Sequence, residues 1–327
     1  MTSKLNVGTL LRMGLFGILF SFSCGGGGMG EPIPPYEVKS VDTPGNARGV
    51  VISGGYAYVA DGSGGLQIID IEPTESAYIV ESVSTPGVAC GVAVPGSYAY
   101  VADGGSGLQI IDTTPPESAH IIKSFDTPGG AFGVAASGPY VYVADGGAGL
   151  QIIANGEYGN PELAYIYSSV NTPGDALGVV WGGQVYVADG GSGLQIIISE
   201  WDGIHEHFFI DKSVDTPGWA YGVAASGDYA YVADGESGLQ IINIEQESAY
   251  IIKSVDTPGL ALGVAVEGGY AYVADGESGL QIIDIEPPES AYIVKSVDTP
   301  GNALGVAVGW GYAYVADDTG GLRIIKL

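Results

Sequence analysis

One unit of about 42 residues recurs seven times along this chain, and any fold for it must give seven copies equivalent surroundings. The string VADG, or VADD in the last copy, places Asp61, Asp103, Asp145, Asp189, Asp234, Asp275 and Asp317 at spacings of 42, 42, 44, 45, 41 and 42 residues. TPG recurs with Pro44, Pro86, Pro128, Pro173, Pro217, Pro258 and Pro300. LQII follows the Asp in six copies, and LRII (322–325) follows it in the seventh.

Each copy reads as four short strands. In the sixth they are GVAV (263–266), YAYVAD (270–275), LQIIDI (280–285) and AYIVKSV (291–297). Val, Ile and Tyr fill these runs, and Gly, Pro, Asp and Ser bound them. No helical period is sustained. Four strands in a unit of this size make one propeller blade. The order of the strands then calls for a ring. The seventh copy stops after its third strand, while segment 36–44 (YEVKSVDTP) nearly repeats the fourth-strand segment 292–300 (YIVKSVDTP), with no earlier strands ahead of it. The sequence predicts an all-β, seven-bladed β-propeller over 36–327, with four antiparallel strands per blade. Residues 36–43 close it as the last blade's fourth strand. Gly, Ala and Val of the first strands suit the crowded axis. Tyr, Leu and Ile of the second and third strands suit the widening gaps between blades.

The phrase GYAYVADGSGGLQIIDI (55–71) and its copies resemble the LVIVD-repeat family of bacterial and archaeal surface propellers, over all seven units. The resemblance implies the propeller fold and a surface setting. It implies no particular activity, because the family has no single one assigned.

The first residues follow another logic. Lys4 and Arg12 lead into a short apolar run, MGLFGILFSF (13–22), and then the small Ser23. This is the pattern of a secretory signal peptide, residues 1–23. Cys24 follows at once, which resembles the lipobox of bacterial lipoproteins, although Ser21 stands where that motif prefers Leu. The resemblance implies lipidation of Cys24. An ordinary cleaved signal followed by a chance Cys is the competing reading. Residues 24–35 (CGGGGMGEPIPP) read as a flexible, then stiff, tether. The expected location is the cell envelope, at the outer membrane or cell surface, with membrane contact through the lipid alone. Cys90, in the apolar segment VACGVAV, reads as a small buried hydrophobe.

Asp and Glu number 37 against 10 Lys and Arg, a net charge of −27, which argues against nucleic acid as a partner. In a propeller the turns after the second and fourth strands share a face. That face collects Asp61, Asp103, Asp145, Asp189, Asp234, Asp275 and Asp317, together with Glu236, Glu277 and Asp318. Two readings compete for this ring. Asp before Gly is turn chemistry, in which the carboxylate accepts backbone hydrogen bonds and Gly supplies positive φ. A carboxylate ring is also a candidate cation site, with Ca²⁺ as the ion.

On the other face most connections resemble EPPESA (286–291), but 154–164 (ANGEYGNPELA) and 198–211 (ISEWDGIHEHFFID) diverge. The second supplies a candidate ligand-binding loop with Trp201, Asp202, His205, Glu206 and His207. Such aromatics form a recognition patch unless they fold back onto the blade. His120, where other copies carry Tyr, reads as packing. No GxSxG, HExxH, CxxC or phosphate loop occurs, so no catalytic residue is assigned. The expected function is a monomeric propeller scaffold that binds a protein, a glycan or a divalent cation at the cell surface, with no cofactor assigned. Two alternatives stand beside it: a carboxylate-dependent enzyme acting on extracellular glycans, and a structural or adhesive surface protein.

Overall fold

The computed structural model describes residues 35–156, 160–245 and 248–327. The signal segment 1–23, Cys24 and the tether up to Pro34 lie outside the described residues, as do 157–159 within the divergent 154–164 loop.

The described strands form seven four-stranded antiparallel sheets. Blades 1 to 6 occupy 49–83, 91–125, 133–170, 178–214, 222–255 and 263–297, each with its four strands in chain order. Blade 7 joins Gly305–Gly309, Tyr312–Ala316 and Leu322–Lys326 to the N-terminal strand Tyr36–Val41. That strand runs antiparallel to Leu322–Lys326, from Tyr36 opposite Lys326 to Val41 opposite Leu322. The all-β ring and its closure are therefore as the repeat predicts.

The core lies between blades. Successive side chains of a strand point to opposite faces, and in the second and third strands both faces are covered. In blade 1, Tyr58, Ala60, Leu66 and Ile68 pack on Ala99, Val101 and Ile111 of blade 2. Ala57, Val59, Ile69 and Ile71 receive Tyr314, Ala316, Leu322 and Ile324 of blade 7. Each of the seven gaps repeats this contact. Double coverage explains why these strands read as continuous apolar runs rather than alternating ones.

At the axis the glycines that open the first strands lie too close to the next blade's backbone for any side chain. A Cβ on Gly305 would lie 2.6 Å from the Arg48 carbonyl oxygen, and one on Gly49 would lie 2.8 Å from that of Cys90. Seven such glycines, each followed by Val, line a narrow axial channel of about 180 Å³. One polar device is also repeated. Buried Gln67 donates to the Gly64 carbonyl and accepts from the Ser82 hydroxyl, and five other copies do the same. In blade 7 that position is Arg323, whose guanidinium lies 3.3 Å from Asp317 and 3.7 Å from Glu37 of the closing strand.

Removing the closing strand strips cover from about four apolar side chains, each worth roughly 1.5–3 kcal/mol. The loss rivals a typical total stability of about 5–15 kcal/mol. Deleting residues 36–43 is expected to abolish the cooperative melt followed by circular dichroism. A deletion variant that melts cooperatively near the parent temperature would show that the ring does not need this strand.

Candidate functional site

The face that carries the Asp-Gly turns is organised by seven identical latches. Each VADG aspartate is fully buried. One carboxylate oxygen accepts the hydroxyl of the TPG threonine at 2.6 Å, from Thr43 to Asp61 through Thr299 to Asp317. The other accepts the N–H of the TPG glycine at 2.8–2.9 Å. The latch ties the chain arriving from one blade's fourth strand to the inner turn of the next blade. Burial pushes the carboxyls of Asp61, Asp103, Asp145, Asp189, Asp234 and Asp275 above the ordinary range, against the downward pull of the hydrogen bonds. The residues offered by the repeat as candidate cation ligands thus have both oxygens engaged by protein donors. Among the described residues no group of three or more His, Cys, Asp or Glu side chains is placed to hold a metal ion.

Downstream of each latch the chain reads x-Ala-x-Gly before entering its first strand: Asn46 and Arg48, Val88 and Cys90, Gly130 and Phe132, Asp175 and Leu177, Trp219 and Tyr221, Leu260 and Leu262, Asn302 and Leu304 flank the seven alanines. Each Ala is buried and pairs with the turn of the preceding blade, as Ala89 does with Gly62 and Ala47 with Asp318. The Gly belongs to the axial ring. The flanking residues are therefore held at the mouth of the channel by an invariant frame, yet no residue type is common to all seven copies at either position.

Over blades 5 to 7 this variable rim forms two adjoining hollows. One, about 450 Å³, is lined by Trp219, Tyr221, Leu260 and Glu236. The other, about 520 Å³, is lined by Leu260, Leu262, Leu304, Asn302, Glu236 and Glu277. Both fall within the usual small-ligand range of about 300–1,000 Å³. Trp219 and Leu260 are each 44% exposed. Cys90 belongs to this rim and is half-buried, with Sγ 3.2 Å from the Val88 carbonyl oxygen, so it is less enclosed than its apolar segment suggests. The mouth was not legible from motif searches. Its signal lay in the aligned copies, as two positions that vary on either side of a constant Ala.

On the opposite face the divergent 198–211 segment extends blade 4 as a hairpin, Leu194–Trp201 and Glu206–Val214. Asp202 closes its turn by accepting the N–H groups of Ile204 at 2.7 Å and His205 at 2.8 Å, and it meets His207 Nε2 at 2.8 Å. The His205 N–H, the His207 ring and the Ile204 N–H hold its carboxyl well below the ordinary range. The His205 and His207 rings lie 6.3 Å apart on the same side. Glu206 turns the other way, accepting hydroxyls from Tyr140 at 2.7 Å and Ser199 at 2.6 Å. Phe208 packs edge-on against Tyr140, 5.5 Å between centroids. Trp201 stays 66% exposed at the tip. The five loop residues of the sequence reading are thus divided between a hydrogen-bonded tip and an inward anchor. His120 is exposed rather than packed, because the fourth-strand start it occupies is exposed in other blades too, as at Tyr78 and Tyr292.

Four-stranded blades, a glycine-lined axis and a variable mouth define a seven-bladed β-propeller. Solved structures of similar architecture include U3-55K, at 8% identity and TM-score 0.71, covering 90% of this chain and 98% of that one. The RRP9 WD40 repeats are similar at 9% identity and TM-score 0.70, with 90% and 97% covered. The computationally designed Ika8 protein is similar at 7% identity and TM-score 0.59, with 89% and 99% covered. At these identities the likeness is one of fold. The LVIVD-repeat model matches residues 44–85, 86–127, 128–155, 173–200, 217–257, 258–299 and 300–326. The chain belongs to the LVIVD-repeat family. No curated protein matches it in sequence.

A folded-state pKa raised above the unfolded value means the native state keeps protons that the unfolded chain has lost. The stability from such groups is full below the unfolded value and falls as pH rises through the raised one. Self-repulsion at a net charge of −27 acts in the same direction. The melting temperature is therefore expected to be higher at about pH 5 than at about pH 8; a steady fall on acidification over that span would mean that the latch hydrogen bonds outweigh burial. Because the latch oxygens are engaged, Ca²⁺ and Mg²⁺ at matched ionic strength are expected to raise the melting temperature equally and slightly. A Ca²⁺-specific rise that grows with concentration would show that an ion enters the ring.

Proposed function

We propose that this protein is an exported, envelope-anchored binding module, and that it recognises its ligand at the axial mouth on the latch face. One observation carries the reading. Within the constant frame of the latch, the buried Ala and the axial Gly, the two residues flanking each Ala at the mouth vary from copy to copy. A frame needed only for folding would tolerate one small residue in all seven places, as it does at the intervening Ala. Export and anchoring rest on the 1–23 signal pattern and on Cys24, followed by a Gly- and Pro-rich tether. The described chain enters blade 7 at Tyr36, at the end of the fourth strand remote from the latch face.

The test is a melting screen of the protein against soluble peptides, glycans and small organic ions. Ligands that raise the melting temperature are expected to lose their effect in Leu260→Asp and keep it in the hairpin variant Trp201→Ala. Ligands lost only in Trp201→Ala would move the site to the hairpin. In cells, the full chain is expected to partition with membranes and Cys24→Ser to be released; equal partitioning of both would remove the lipid anchor from the proposal.

A further inference from the structure

Resting on the mouth as the binding site, we propose that the hollows over blades 5 to 7 take an organic cation carried on an apolar stem, an alkyl ammonium or guanidinium group.

The walls supply the first half of the argument. Trp219 and Leu260 are large, apolar and substantially exposed, and the fold does not require them there. The equivalent position is Asn46, Gly130, Asp175 or Asn302 in four other copies and the smaller apolar Val88 in the fifth. Water-exposed apolar walls at a variable position are a cost that a ligand stem would remove. The carboxylates supply the second half. Glu occupies the middle of the Asp-Gly turn only at Glu236 and Glu277, in two successive blades, both facing the hollows. Other copies have Ser63, Gly105, Gly147, Gly191 or Thr319. Neither Glu has a hydrogen bond or ion pair with any described residue, and no described Lys or Arg lines either hollow.

Ligand classes then sort by chemistry. Two carboxylates repel an anion. A bare divalent ion asks for about six to eight oxygen ligands and gains nothing from Leu or Trp. A cation on a hydrocarbon stem suits both hollows: its charge faces Glu236 and its stem lies on Leu260, which the two share, with Glu277 and Leu262 beside it in one and the Trp219 ring as a cation–π face in the other. The −27 net charge draws such a ligand in from a distance.

Calorimetric titration of the full-length protein tests this, with diaminopentane, with a short peptide of alternating Lys and Leu, and with Mg²⁺ as the inorganic control. Saturable binding of an organic cation is expected, at least about tenfold tighter than Mg²⁺ at about 0.15 M salt. Glu236→Gln and Glu277→Gln, both at exposed side chains, are each expected to weaken it about three- to fivefold, and Trp219→Ala about threefold. Diamine binding alone would identify a small amine as the ligand. Peptide binding with weak diamine binding would identify a basic polypeptide. Either upholds the inference. Binding that tracks Mg²⁺ and survives the double Gln variant is charge screening and overturns it. If no cation binds while an uncharged ligand still shifts the melt in a Leu260-dependent way, this inference fails and the mouth as a site stands.

Discussion

The propeller depends on a carboxylate taken out of water. A buried charge is expensive unless its oxygens are satisfied, and each VADG aspartate is satisfied by one hydroxyl and one N–H from the TPG turn. Because those donors arrive from the preceding blade's outer strand, the bond does more than shape a turn. It fixes where the chain re-enters the ring, which seats the following Ala against the neighbouring turn and the following Gly at the axis. Seven copies of one local interaction thereby set the geometry of the whole mouth. The residues left over between these fixed points are free to change without disturbing the frame.

Much of this architecture is legible from the amino acids, for a reason particular to repeats. A displaced fourth strand at 36–44 has few explanations, and the ring is the simplest. The mouth is harder to read. Asp61 and its equivalents attract attention because they are constant, and constancy here reflects a structural bond. Trp219, Tyr221 and Leu260 pass unnoticed because each occurs once. In the hairpin, Glu206 and His207 are neighbours in sequence but belong to opposite sides of an alternating strand. One therefore anchors to Tyr140 while the other closes the tip on Asp202. Composition alone carries no such assignment, which needs the pairing register.

Seven outer strands also present seven open edges, each able to pair with another chain. Every one carries a bulge at the same place, where Val38, Val80, Ile122, Tyr167, Asp211, Ile252 and Val294 fall out of register. Lys39, Lys123, Lys212, Lys253 and Lys295 follow at once. Irregular edges marked with charge oppose edge-to-edge association. In blade 3 the corresponding residue is Ser168, and there Tyr167 instead bonds across to Glu206 of the neighbouring hairpin.

The closing strand has a mechanical consequence. A pull on Tyr36 directed along the closing strand is borne across all the hydrogen bonds that join it to its antiparallel partner Leu322–Lys326. The rungs of that ladder bear the load together in shear instead of opening one at a time. Behind them the Thr43 and Gly45 latch onto Asp61 passes any remaining tension into the next blade. The element that seals the ring is thus also placed to resist being drawn out of it.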